Sequence, residues 1–580
     1  MKRQFLISCT CVLFALMLIG QASAQTPGAP GGSNPPKFET PKLEGGDTAW
    51  MLGSTGLVLL MVPGLALFYG GMVRRKNVLG TMMQSMVALG VVGVQWLLFG
   101  YCLAFGESQG GFIGWSIGLL GLHGKQPSDI FTGTHIPVYV HCMYQGMFAI
   151  ITPALISGAV AERIRFGPYC LFLLLWSTLV YDPLAHWVWA VAPKGGDPNV
   201  ADNVGWLGAM GALDFAGGTV VHIAAGFSAL AAILILPKRR GYPEHAMHPN
   251  SMVLTLTGAG ILWFGWFGFN GGSALGANAQ AGLALGASQV AAAAAALSWI
   301  VIEWLHRGKP TALGFASGLV AGLVAITPAS GWVSPMAALL IGVVAGLVCY
   351  SAVYAKPGLK YDDSLDAFGV HGVGGFLGAL LTGVLANYLL VNNALGNAPD
   401  KLQEVGKLGA DWSAGRGQQI AIQALAASVA AAYAFVVSLI LVKGINLLWG
   451  FGATAEAENQ GLDRAEHNEV GFDFGMGALE ESPEMRPPEP RAASVPPDGH
   501  GRFTIVVEGP AQPELMHAWS EMCQTGKPAP AAFRVVYPYV TTVQGNRFRF
   551  RGGDRVKMRT NLQDLFQDSL GETVHTHVEE

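Results

Sequence analysis

Two histidines sit in stretches long and apolar enough to cross a bilayer. His222 ends the run Asp214-Phe-Ala-Gly-Gly-Thr-Val-Val-His, which opens an apolar stretch continuing to Leu236, and His371 lies in Asp366-Ala-Phe-Gly-Val-His-Gly-Val-Gly-Gly. Ionisable groups are costly to hold in a membrane, so such a residue marks a solute, ion or proton path by default. A neutral imidazole has one donor and one acceptor nitrogen. Two facing rings can therefore share a proton and offer polar edges to a small solute without a fixed charge. Two buried histidines each bonded to a backbone carbonyl are the structural alternative, and a pair of axial haem ligands is a redox one. Paired placement and the glycines at 372, 374 and 375 favour two rings facing across a narrow pore.

Asp214 stands at the head of the His222 segment. A carboxylate there can act as helix N-cap, satisfying free N–H groups and meeting the positive end of the helix dipole. That role is preferred to direct cation ligand or proton acceptor, with an electrostatic effect on a nearby site as a by-product. Asp366 is read the same way before His371. His135, His141 and His186 are read as packing or solvated residues.

The elements holding these residues follow from composition. The 580-residue chain is 51% hydrophobic and 12% charged, with 78 glycines, too apolar for a soluble protein and suited to closely packed membrane helices. A net charge of -4, with no basic stripe in the apolar part, argues against nucleic-acid binding. The seven cysteines show neither metal-ligand spacing nor a disulfide framework. No metal, cofactor or catalytic residue is expected.

Residues 1–24 have Lys2 and Arg3, an apolar run from Phe5 to Ile19 and Ala22-Ser-Ala24, the pattern of a signal peptide cleaved before Gln25. A further membrane helix is the alternative. A Pro/Gly-rich spacer, 25–47, precedes the membrane domain, 48–450. Spans are predicted at 48–72, 78–105, 136–160, 168–190, 214–236, 251–272, 281–305, 311–329, 335–354, 366–390 and 416–442, eleven in all. With the first end outside, thirteen Lys/Arg fall on the cytoplasmic side and six outside, which agrees with the positive-inside rule. The expected fold is an all-α polytopic membrane protein with an inverted 5+5 repeat plus one extra helix, the histidines occupying equivalent places in the two halves.

Several segments carry a resemblance. These are Leu67-Phe-Tyr-Gly-Gly-Met-Val-Arg-Arg-Lys-Asn77, Gly158-Ala-Val-Ala-Glu-Arg-Ile-Arg-Phe166, Asp214 to His222, Gly265-Trp-Phe-Gly-Phe-Asn270, Phe368-Gly-Val-His-Gly-Val-Gly-Gly375 and Gly461-Leu-Asp-Arg-Ala-Glu-His467. The chain resembles the ammonium transporter (Amt/Mep/Rh) family, Amt type, from about residue 48 to 470. The resemblance implies eleven helices per subunit, one pore in each subunit of a homotrimer, a cell inner (plasma) membrane location and a role in nitrogen uptake. It implies membrane lipid as surroundings and a P-II type signalling protein or other regulator as partner of the cytoplasmic tail.

Ammonium is nearly the size of potassium, and moving a bare cation into low dielectric costs about 20 kcal/mol in the idealised Born limit. A site that attracts the cation, followed by a dry channel for neutral ammonia, would reject metal ions, which have no proton to lose. The resemblance places Trp189 at the outer ammonium site as a cation-π wall, with Phe148, Ser273 and Tyr144 beside it. Phe148 and Phe269 would form a phenyl gate, His222 and His371 the twin-histidine pore, and Trp266 the lower pore lining. Net electrogenic ammonium transport is implied by the family alone. Tyr144, where relatives carry phenylalanine, adds a hydroxyl expected near the outer site, and Asn468, where glycine is usual, could alter a turn.

The resemblance stops in the tail. An acidic, Pro-rich segment belongs to a tail and linker, 451–501; from Glu456 to Glu489 ten acidic residues face Arg464 and Arg486. A small α/β cytoplasmic domain of unknown function is expected over 502–580, with strands at 503–507, 533–539 and 547–551 and helices at 513–523 and 561–570. Arg547, Arg549, Arg551, Arg555, Lys557 and Arg559 form a basic cluster, read as a solvated face. An ammonium sensor signalling through this extension and an Rh-like ammonia or gas channel are the competing functions.

Overall fold

The computed structural model of the protein describes residues 42–190, 204–244, 247–387 and 412–472, then 502–508, 517–520, 533, 536–544, 546–551, 555–570 and 574–579. The expected signal peptide, residues 25–41 of the spacer and residues 473–501 of the linker lie outside them. The chain forms two units, Met1–Phe474 and Gly475–Glu580.

Among the described residues of the first unit, ten helices are long and apolar enough to cross a membrane: α1 Gly45–Met72, α2 Arg75–Phe105, α3 Val138–Val160, α4 Phe166–Trp189, α5 Gly218–Ile235, α6 Met252–Ala274, α7 Ala279–Arg307, α9 Pro335–Leu359, α10 Phe368–Leu385 and α11 Gly415–Trp449. Between α7 and α9 lies α8, Ala312–Ile326. The sequence predicts a full span at 311–329, but these 15 residues reach only about 22 Å at 1.5 Å each, short of a hydrocarbon core of about 30 Å. The segment turns at Thr327-Pro328, where proline has no N–H to continue the helical ladder, and Ala329 N bonds Ile326 O at 2.9 Å in a tighter turn.

Helix starts follow from side chains that accept the free N–H groups. Ser251, Asn278, Thr311 and Ser334 cap α6, α7, α8 and α9 in this way. A hairpin pairs β1 Glu107–Gln109 with β2 Ile113–Trp115. In the bundle, α1 packs along α6 and α5 against α10, while α11 packs on both α5 and α10. Elements five apart in sequence thus pair, as in two repeats related by a two-fold axis. The α5/α10 crossing needs glycine: a Cβ on Gly226 would meet Gly372 N at 2.1 Å and its Cα at 2.2 Å. Both helices open with a π-helical turn, Gly218–Ile223 and Phe368–Gly372, and each turn carries one of the two histidines. Such turns are rare and recur at functional sites.

At the end of the bundle where α10 starts, buried ions tie the loops together. Glu162 accepts from Arg74, Asn77 and Arg239, each at 2.9 Å, and Asp362 accepts from Arg163 at 2.9 Å and Arg239 at 2.8 Å. Helices α12, Ala455–Gln460, and α13, Leu462–His467, dock on this layer. Asp463 takes Gly80 N at 2.7 Å and Glu466 takes Phe166 N at 2.9 Å. Asn468 closes α13 at φ 54°, its N–H on Arg464 O at 3.0 Å. Asparagine tolerates this left-handed conformation well, so the turn forms without a glycine.

The second unit has a four-stranded antiparallel sheet, in the order β4-β5-β3-β6. Its strands are β3 Arg502–Glu508, β4 Val540–Gln544, β5 Arg547–Arg551 and β6 His575–Glu579, with helix α14 Arg555–Leu570 before β6. Ile505, Phe548, Phe550, Leu562, Leu565 and Phe566 form its core. Three expectations are corrected. The predicted strand 533–539 is a helical turn at Tyr537–Tyr539 followed by β4, Pro538 having no N–H for a ladder. The last helix starts at Arg555 rather than Asn561, and β6 is additional. Arg547 and Arg549 are exposed while Phe548 and Phe550 are buried, the alternation expected of a strand with one face on a core.

Candidate functional site

Two cavities lie one behind the other, separated by two phenyl rings. The wide one, about 290 Å³, is lined by Phe148, Trp189, Ser273, Asp214, Gln145 and His141 among others. The narrow one, about 10 Å³, is lined by His222, His371, Trp266, Phe269 and aliphatic side chains. About 10–15 Å³ on this measure holds one water-sized molecule. Phe148 belongs to the wall of the first and Phe269 to that of the second, and their rings touch, with centroids 4.2 Å apart and planes tilted 30°.

The aromatic file continues on both sides. Trp189 stands edge-on to Phe148 at 5.9 Å, and its indole N–H donates to Asp214 O at 2.9 Å. This fixes the ring at the cavity wall. His222 follows Phe269 at 6.1 Å, with Trp266 5.5 Å and His371 5.3 Å from its centroid. Trp266 is held by its N–H on Thr327 Oγ1 at 3.0 Å.

His222 Nδ1 and His371 Nδ1 are 3.3 Å apart. Two N–H groups cannot point at each other over that distance, so one ring donates and the other accepts, and a neutral pair shares a single proton between them. His222 Nε2 is buried without a protein partner. Its ring lines the narrow cavity, so this nitrogen is a polar edge available to a solute there. The backbone-carbonyl alternative is not what the geometry shows for the facing nitrogens.

Asp214 caps α5 as expected. Its Oδ1 accepts from Gly217 N at 3.0 Å and Gly218 N at 2.6 Å, and its Oδ2 from Thr219 N at 2.9 Å and Val220 N at 3.1 Å. Gly217, at φ 111°, takes a conformation L side chains rarely adopt and lets the chain fold back over the carboxylate. For α10 the expectation is corrected. Asp366 pairs with Lys356, and the cap is Asp363, which accepts from Ala367 N at 3.1 Å and Phe368 N at 2.8 Å. Asp363 precedes His371 by eight residues, as Asp214 precedes His222, and that spacing is the signal that finds it.

The Tyr144 hydroxyl lies near the expected outer site, beside Ser273. It bonds Phe269 O at 2.8 Å and Gly268 O at 3.0 Å and lies 3.2 Å from Ser273 Oγ. It is spent on the end of α6 and stands behind Phe148 and Ser273 rather than on the cavity wall. Ser273 donates to Phe269 O at 2.9 Å, which leaves its oxygen lone pairs to accept an N–H. His141 is buried, stacked on Phe131 at 3.5 Å and bonded to Tyr101 at 2.9 Å. His186 bonds Ser108 and Ala104 O, and His135, exposed, bonds Lys42 O. All three are packing or surface residues, with His141 also contributing to the wide cavity's wall.

In the buried ion layer, burial alone would raise the carboxyls, but Arg239 and Arg74 hold Glu162, and Arg239 and Arg163 hold Asp362, below their ordinary values.

Residues 49–472, which contain every group above, match the family described as Ammonium Transporter Family. The chain belongs to that family. An ammonium transporter of Mycobacterium tuberculosis is 46% identical over 453 residues, covering 75% of this chain and 92% of its own. Among solved structures, Candida albicans Mep2 is 34% identical with a TM-score of 0.63, over 72% of this transporter and 88% of Mep2. A structure described as a Sensor Amt Protein is 29% identical with a TM-score of 0.63, over 73% of this chain and 98% of its own. The family match ends before the second unit of the transporter, which carries the sheet.

Proposed function

We propose that this family member moves ammonium from the wide cavity to the narrow one, leaving the proton's charge outside the dry section. The observation that supports this most directly is the unbroken file Trp189, Phe148, Phe269, His222, His371. In this reading Trp189, Phe148 and Ser273 receive the cation, by the indole face and the hydroxyl acceptor. The touching phenyl rings admit a solute only when they part. The narrow cavity is apolar except for the imidazoles, so it accepts ammonia and excludes a bare metal cation. The proton crosses separately and net transport is electrogenic. Asp214 holds α5 and adds a negative field at the wide cavity.

The reading includes a homotrimer in the inner (plasma) membrane, eleven crossings in which the short α8 is completed by the buried turn that follows it, the N-terminus outside after signal-peptide cleavage, and both the docked tail and residues 502–580 in the cytoplasm, where a P-II type protein or another regulator would bind. Current recording on proteoliposomes tests it. Ammonium pulses should produce current with uptake, and uptake without current would refute the electrogenic version.

The likeness to a Sensor Amt Protein, together with a separate C-terminal unit, favours one second reading, an ammonium sensor that signals through that unit. Truncation after residue 475 separates the two. Transport that survives with altered control fits a regulated transporter, and absence of transport from both the full chain and the truncated one fits a sensor.

A further inference from the structure

At the start of α10 two carboxylates, Asp363 and Asp366, stand within three residues of one another, whereas the equivalent start of α5 has Asp214 alone. Asp363 is consumed as the cap. Asp366 makes no such bond; it sits at φ 61°, a left-handed conformation that aspartate adopts more readily than most residues. That turn brings its carboxylate to Lys356 Nζ. Lys356 comes from the last turn of α9 and also donates to Asp363 O at 2.8 Å. Both members of the pair are mostly buried, with side-chain exposures of 14% and 19%, so bulk solvent screens them weakly.

Two other carboxylates at this end of the bundle are held by arginines. Glu162 pairs with Arg74 and Arg239, and Asp362 with Arg163 and Arg239. Glu458, also buried in this layer, accepts from Arg240 N at 3.1 Å. Among the described residues Lys356 is the cation in direct contact with the Asp363 and Asp366 pair, on the Asp366 carboxylate and the Asp363 carbonyl; Arg163, already bonded to Asp362, acts on Asp363 only at longer range.

We propose that Lys356 is a positioning and charge-setting residue for release. By cancelling Asp366 it leaves the inner end of the path with a single capping carboxylate set against a helix dipole, as at the outer end, instead of a doubly negative site that would hold the ammonium re-formed there when ammonia recombines with the separately crossing proton. The inference rests on the proposed direction of transport and deepens it. Lys356 touches neither the solute path nor the histidines and acts through the field at the exit.

The test uses full-length protein reconstituted in one orientation, with ammonium jumps applied to either face at one fixed pH. Lys356→Gln should lower the half-saturating ammonium concentration at the inner face about tenfold, the effect of a unit charge over roughly 10 Å at an effective dielectric of about 20. Outer-face saturation should not change. Lys356→Arg, and Lys356→Gln combined with Asp366→Asn, should both restore the wild-type inner-face value. If Lys356→Gln behaves as wild type, or if the double variant is as impaired as the single one, the charge assignment is overturned. A wild type that moves no ammonium from either face overturns the transport reading itself.

Discussion

Replacing Asp214 separates its role as cap from a role as ligand. The carboxylate accepts four backbone N–H groups, two on each oxygen. Asp214→Asn keeps one carbonyl oxygen and sets an NH2 group against the other two donors. Two charge-assisted bonds are lost, each worth roughly 1.5–3 kcal/mol, so the loss is about 3–6 kcal/mol before relaxation. Water from the wide cavity, which Asp214 lines, can replace part of it, leaving about 2 kcal/mol, the upper end of an ordinary N-cap loss. Asp214→Ala strips all four donors but leaves room for water, so its cost is of the same order. Thermal unfolding of purified protein should show both variants destabilised, and ammonium uptake should fall in both because His222 rides on the turn these bonds fix. An Asn variant with wild-type unfolding and a selective loss of ammonium affinity would refute the cap as the main role and restore direct ligation.

Gly226→Ala must separate α5 from α10, because its Cβ would lie 2.1 Å from Gly372 N. Uptake should be abolished and stability reduced by at least the roughly 1–3 kcal/mol of an overpacked core; wild-type uptake would contradict the close crossing. Tyr144→Phe should cost about 1 kcal/mol for the lost bonds to Gly268 O and Phe269 O, yet leave ammonium affinity within twofold by tracer uptake. Glu162 and Asp362 titrate lower in the folded chain than their ordinary 4.5 and 3.8. The folded state therefore binds fewer protons near those values. The stability they contribute is complete above them and lost as pH falls towards the folded values. Unfolding temperature should drop with pH below about 4.5, and Glu162→Gln should flatten part of that drop.

Much of the site is legible in the sequence because ionisable groups are scarce in apolar spans, so His222 and His371 stand out from the order of residues alone. The places where reading fails have physical causes. Asp366 is nearer His371 and hides the true cap, Asp363, although the eight-residue spacing repeats in both halves. That Tyr144 brings a hydroxyl near the outer site is legible, but its partners are not: packing against α6 turns it onto the carbonyls of Gly268 and Phe269. Helix α8 is as apolar as its neighbours, and only Pro328 hints that it stops early. In the tail, β6 reads His-Thr-His-Val-Glu and has too little apolar alternation to show as a strand; its pairing with β3 supplies what the local pattern lacks.

The central claim is that the two facing imidazoles let ammonia pass while refusing a cation. Its most direct test is current under ammonium and potassium gradients in proteoliposomes holding wild type or His222→Ala combined with His371→Ala. Wild type should carry ammonium-dependent current and none with potassium, and the double variant should lose that discrimination. Unchanged selectivity in a folded double variant would contradict the claim.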